Sequence, residues 1–270
     1  MRQPSKVSNS QGISRICHTC VGLILLMSIS LAAQPATDPF EPMQQLLAEG
    51  RYALATQVEG PSLIAQFPDN PDSYYLYAYA LYLVGDSTSA QDVLTESLSL
   101  SPDPPVMYLR LQGILAAEAG AQAAALGALQ TVFTQAPNYA HASDLAQVAW
   151  QAGAYDDALA AFTNAENLAE TTEQQGWAML HKARLQRVLG QLDAAIISLE
   201  SLLDILDAEP STNGLPPPAY AQAFLQLGGI YEDQGDVDKA LANYEAARLA
   251  DPNARVASEA IARLEASSNP

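Results

Sequence analysis

The stretch Tyr74–Gly85, YYLYAYALYLVG, places five tyrosines within nine residues and ends at a glycine. At a period of two, Tyr75, Tyr77 and Tyr79 would line one face of a β-strand. At helical spacing, Tyr75, Tyr79 and Tyr82 stand at i, i+4 and i+7 on one face of a helix. The run satisfies both patterns, and the fold class turns on the choice between them. The closing glycine supplies the answer. It is one of six, Gly50, Gly85, Gly120, Gly153, Gly190 and Gly235, separated by 35, 35, 33, 37 and 45 residues. Five residues after each comes an alanine: Ala55, Ala90, Ala125, Ala158, Ala195 and Ala240. Nine after, a large apolar residue stands in five of six units (Leu94, Leu129, Phe162, Leu199, Tyr244). Seven before, a small one stands in five of six (Ala78, Gly113, Ala146, Ala183, Gly228). Pro102, Pro137 and Pro252 close three of the units. A recurrence at roughly this interval marks a repeated structural unit, and the identity of that unit decides between strand and helix.

The pattern resembles the tetratricopeptide repeat, a helix–turn–helix unit. The last copy, Ala223–Asn253, AFLQLGGIYEDQGDVDKALANYEAARLADPN, carries Leu227-Gly228, Tyr231, Gly235, Ala240, Tyr244, Ala247 and Pro252 in the family's slots. The resemblance covers roughly residues 39–253. It implies an all-α, right-handed solenoid of about six stacked hairpins, each burying its apolar face against its neighbours. Small residues such as Ala78 and Ala90 let paired helices approach, and Leu94 and Tyr77 fill the space between units. The glycine ends the first helix in a left-handed conformation, and proline suits the first turn of the next. The first copy departs most. Glu59 stands where a large apolar residue is expected, and Gly60-Pro61 should kink or split its second helix. Beyond Asn253, Val256, Ala260, Ile261 and Leu264 share one face of an expected capping helix over 254–270.

The first forty residues differ from the rest. Arg2, Lys6 and Arg15 precede the thirteen-residue apolar run VGLILLMSISLAA (21–33), and no acid appears before Asp38. This is the form of a secretory signal over 1–33, with small residues at Ser30–Ala32 for cleavage. The run is shorter than the roughly 20 residues a spanning helix needs, and an uncleaved anchor is the alternative. Cys17 and Cys20 lack a lipobox-like setting and leave with the leader, so the exported chain has no thiol and no disulfide. Nine Lys and Arg then stand against 30 Asp and Glu, a formal charge of −21. Such a surface repels nucleic acid and anionic lipid, and membrane contact is expected only through an uncleaved leader.

In the helical register Tyr74, Tyr77 and Leu81 point into the stack, while Tyr75, Tyr79 and Tyr82 fall on the side that lines the family's concave groove. The same slots in the later first helices give Arg110 and Ile114, then Gln147 and Trp150, then His181, Arg184 and Arg187, and last Gln222, Gln226 and Glu232. The resemblance implies a non-enzymatic protein–protein scaffold or adaptor. Its groove, aromatic at one end and cationic in the middle, suits a peptide or helix carrying a carboxylate. The plainer reading pairs Arg184 and Arg187 with nearby acids. The Asn and Lys of the family's chaperone-tail clamp are absent from these slots. A glycan-binding module is the alternative, because Trp150 and Tyr79 are rings on which sugars stack. A hydrolase built from scattered acids is a remote third reading. No metal or cofactor is expected: His141 and His181 stand in different units, and Glu232–Ala240 is a turn rather than a calcium loop. The insertion Asp207–Tyr220, with its LPPP, reads either as a linker or as a contact arm.

Overall fold

The computed structural model of the chain describes residues 38–208 and 218–268. The expected leader (1–33) and residues 209–217 of the insertion lie outside these. The first unit contains α1 (Glu41–Ala48), α2 (Tyr52–Leu54), a π-helical turn (Ala55–Glu59) and α3 (Gly60–Gln66). Four further hairpins follow: α4 (Pro71–Leu83) with α5 (Ser87–Leu100), α6 (Val106–Glu118) with α7 (Gln122–Gln135), α8 (Tyr139–Gln151) with α9 (Tyr155–Asn167), and α10 (Thr172–Val188) with α11 (Leu192–Ala208). The sixth hairpin is α12 (Pro218–Asp233) with α13 (Val237–Ala250), on which α14 (Arg255–Ser268) packs. No strand occurs among the described residues, and the tyrosine run lies wholly within α4. No helix among them is long and apolar enough to cross a membrane.

The repeated slots work as their chemistry demands. All six turn glycines have positive φ, between +71° and +86°, which an L side chain adopts only with strain. At Gly85 the N–H donates to Tyr82 C=O and the next N–H, from Asp86, to Leu81 C=O, at 2.9 and 3.0 Å. These are the two bonds of a Schellman motif, which satisfies carbonyls that a helix end would leave bare. Asp86 then caps α5 by accepting from Ser89 N–H at 3.1 Å, and Asp236 caps α13 in the same way from Lys239 N–H. In two hairpins the small and large slots meet: a Cβ on Gly113 would stand 2.8 Å from Leu129 Cγ, and one on Gly228 would stand 2.7 Å from the Tyr244 ring.

Three expectations are corrected. Pro102, Pro137 and Pro252 do not occupy the first turn of the next helix; they lie in the connections, where they end the preceding one. A proline drives the residue before it out of the helical region. Accordingly Ser101, Ala136 and Asp251 have ψ of 91°, 76° and 100°. Gly60-Pro61 does not split its helix: the chain is helical without a break from Tyr52 to Gln66. Pro61 has no N–H to give, and the chain widens one turn earlier, where Gly60 N–H bonds to Ala55 C=O in the i→i−5 pattern of a π-turn. That extra residue turns Gly60 inward where Glu59 would otherwise stand, and Gly60 is buried while Glu59 is not. On α14, Val256 is 61% exposed, and the inner face is built from Ala257, Ala260 and Leu264. Alanine at 257 allows a closer approach than valine at 256.

Candidate functional site

The first helices of successive units stand side by side and expose one face. At its upstream end Tyr75, Tyr79 and Tyr82 of α4 meet Met107, Arg110, Leu111 and Ile114 of α6 around one concavity. It holds about 40 Å³. A small-molecule pocket needs roughly 300 Å³ or more, so this is a contact surface rather than a ligand cavity. A wider, open depression of about 1450 Å³ continues from Tyr82 and Ile114 past Asp144, Gln147 and Gln151 to the alanine-rich start of α7.

The tyrosines form a ladder. Tyr108 of α6 stacks on Tyr75 with centroids 4.5 Å apart, Tyr75 on Tyr79 at 6.2 Å, and Tyr79 on Tyr82 at 6.4 Å. Tyr108 also donates its hydroxyl to Asp72 Oδ1, joining the second and third units. The ladder changes the expected division of rings. Tyr75 and Tyr79 retain 5% and 8% exposure and Ile114 retains 7%, whereas Tyr74 and Tyr77, expected in the core, are half-buried. The reason is Tyr108, which covers Tyr75 from the next unit. Burial pushes the Tyr79 and Tyr82 hydroxyls up to about 12. Tyr82, half-buried at the end of the ladder, and Met107, 44% exposed, are the apolar parts that solvent reaches.

The cations divide in a way that sequence spacing did not show. Arg110 Nε donates to Asp144 Oδ2 at 2.6 Å, with the two side chains 17% and 7% exposed. Arg187 Nε donates to Asp233 Oδ2 at 2.5 Å, and its guanidinium lies against α12, where a Cβ on Gly229 would be 2.4 Å from Nη1. Both tie one unit to the next, as Lys182 to Glu166 also does. Arg184 differs: its guanidinium carbon lies 5.4 Å above the Trp150 ring. Among the described residues it forms no ion pair.

Trp150 belongs to an aromatic cluster with Phe162, Trp177 and His181. His181 lies 4.4 Å from Trp177 and stacks on Phe162 at 5.7 Å, while Trp150 meets His181 and Phe162 edge-on. Burial, and after it the charge of Arg184, hold the His181 imidazole down at about 4, so it is neutral at ordinary pH. Gln147 is half-buried beside the depression, Gln222 is exposed, and Gln226 donates to Leu180 C=O at 3.3 Å. Glu232 accepts from Arg263 and, at 2.9 Å, from the Tyr244 hydroxyl. The structure thus gathers the expected residues into two groups, a tyrosine wall around Arg110 and a cluster around Trp150 and Arg184. Arg187, Gln226 and Glu232 are held in contacts within the stack. Sequence spacing missed Tyr108, Asp72, Asp144 and Trp177. No group of three or more metal-ligating side chains occurs among the described residues.

The tetratricopeptide repeat model matches residues 71–104 and 221–253, the α4–α5 and α12–α13 units. Among curated proteins no sequence matches. Solved structures share the fold at low identity. PilW, described as a widely conserved type IV pilus biogenesis factor, superposes with a TM-score of 0.63 at 15% identity, over 84% of this chain and 99% of its own. Pseudomonas aeruginosa PilF gives 0.60 at 16%, over 83% and 96%. YrrB, described as a TPR protein with an unusual peptide-binding site, gives 0.59 at 18%, over 74% and 96%. With its glycine turns, paired small and large slots and stacked hairpins, the chain has the fold of a tetratricopeptide-repeat solenoid, and two of its units match the repeat itself.

Proposed function

We propose that this chain is a non-catalytic adaptor of the cell envelope that seats a peptide or helix of a partner protein on its concave face. The observation that carries this reading is the concavity itself: Tyr75, Tyr79, Tyr82, Arg110 and Ile114, from two units, converge on one surface. The rings and the Arg110–Asp144 pair fix its shape before a partner arrives, and such preorganisation reduces the entropic cost of binding. The tripartite leader supports export, with 1–33 removed, 39–253 as the binding solenoid and the helix from 254 as its cap. The likeness to a pilus biogenesis factor and to a peptide-binding repeat protein agrees with that setting and mode. A glycan platform fits less well. Tyr79 is buried in the ladder, and Arg184 stands over one face of Trp150.

The test is affinity capture from a native envelope extract, with the chain from Ala33 onward as bait. The control carries Tyr82→Ser and Met107→Asp, chosen because both side chains reach solvent. A protein retained by the first bait and absent from the second, at equal helical signal, supports the groove. Identical eluates overturn it.

A further inference from the structure

We infer that Arg184 is the specificity anchor of the groove, and that it recognises a single Asp or Glu side chain within an otherwise apolar or basic partner segment. This rests on the groove reading above and names the chemistry of its occupant. The first observation is one of charge. The exported chain has nine cations and 30 acids. Seven of the cations, among them Arg110, Lys182 and Arg187, are in ion pairs. Arg184 and Arg248 alone form none among the described residues. Arg248 lies exposed in the last turn of α13, where a cation complements the helix end. Arg184 has no such reason. It lies on the groove face of α10, in the slot occupied by Tyr79, Ile114 and Gln147 in earlier units.

The second observation is its posture. The guanidinium lies over Trp150, and Trp150 is braced by Phe162 and His181. A guanidinium drawn over a ring leaves N–H groups free, and a carboxylate takes two of them in parallel. The contact with Trp150 restricts the side chain before a ligand arrives. His181 beside it is neutral, so it adds no second charge, and its imidazole has no hydrogen-bond partner among the described residues. The rest of the surface sets the partner's composition. A chain of this negative charge repels a run of acids, which leaves one carboxylate among apolar or basic neighbours. A side-chain carboxylate fits better than a chain terminus. Capture of a terminus uses a nest of free backbone N–H groups, and the backbone here lies within α8 and α10, whose amides bond internally.

The experiment uses the full chain and an array of nonapeptides, acetylated and amidated, with a leucine and a tyrosine at one end. Each peptide carries one glutamate, placed in turn at successive positions, and each has a glutamine counterpart. Glutamate peptides should bind roughly tenfold or more tighter than glutamine ones, the size of one charge-assisted bidentate contact. Arg184→Gln should abolish that preference, so that each glutamate peptide binds no tighter than its glutamine counterpart, and Arg184→Lys should restore only part of it. Equal binding of glutamate and glutamine peptides overturns the inference, as does a preference that survives Arg184→Gln. So does a preference for the same peptides with a free C-terminus. The groove reading fails separately, if no peptide binds or if Tyr82→Ser with Met107→Asp leaves all binding intact.

Discussion

The ring of Tyr77 lies directly on the backbone of Gly60: a Cβ at that glycine would stand 2.2 Å from Tyr77 Cδ2 and 2.7 Å from Cγ. In the third and sixth units the corresponding seat holds Leu129 and Tyr244, each packed on the small residue of its own hairpin. Here the π-turn before Pro61 brings a glycine to that seat, and the tyrosine of the next unit fills the space. Gly60→Ala should therefore destabilise the amino-terminal end by about 1–3 kcal/mol, the usual cost of forcing atoms into a packed site. The atoms that clash belong to the root of the ring, which cannot swing aside cheaply. Adding Tyr77→Ser should recover most of the loss from the clash, and thermal melts of the single and double variants measure it.

Between the third and fourth units, Asp144→Ala would leave Arg110 charged and largely buried without a partner. Removing one member of such a pair costs about 3 kcal/mol or more, while replacing both by apolar residues costs much less. The expected order of midpoints in urea is wild type, then Arg110→Leu with Asp144→Leu, then Asp144→Ala. The result also bears on function: loss of binding on changing Arg110 would reflect loss of this contact between units, so Arg110 is a poor single test of the groove.

At the turns, Gly120 has φ +77° and open space around it, with nothing within 4 Å of an added Cβ. Gly120→Ala should cost about 1–2 kcal/mol from backbone strain alone, and Gly120→Asn should cost less, since asparagine tolerates the left-handed region. A comparison of the two melting temperatures checks this, with no change expected in peptide binding.

The same contrast explains how much of the molecule could be read in advance. The turns were legible because a left-handed residue is a backbone requirement that only a few side chains meet, and it recurred six times. The helix and the hairpins followed from it; the packing of Tyr244 on Gly228 inside one hairpin did not, since large residues were expected to fill the space between units. At Pro61 the sequence showed the obstacle, a missing N–H, but not the remedy, because a π-turn and a kink both accommodate it. The site was less legible. Its rings and cations were found on the right helices, yet their partners stand about one repeat away: Tyr108 to Asp72 is 36 residues, Arg110 to Asp144 is 34, and Arg187 to Asp233 is 46. A search for an acid one period from each groove cation would have found both arginine pairs and left Arg184 standing alone. Tyr75 and Tyr79 were expected to face a ligand because helical spacing says which side a residue is on. It does not say how closely the next unit covers that side.

His181 gives the chain a dependence on acid. Its folded value, about 4, lies below the ordinary 6.5, first because of burial and then because of Arg184. Below pH 6.5 the unfolded chain takes up a proton at this imidazole and the folded chain does not, so protons favour unfolding. The stabilising contribution is therefore fully present above pH 6.5 and declines as pH falls from 6.5 to about 4, where the folded imidazole is finally protonated. Arg184 is the charged group that opposes protonation of the ring, and Trp150, Phe162 and Trp177 around it withhold water. His181→Phe keeps an aromatic ring in the cluster and removes the titration. Its melting temperature should fall less than that of the wild type between pH 6.5 and 4, and the two curves should run parallel above pH 7. Parallel curves throughout would mean that the imidazole titrates alike in the folded and unfolded chains.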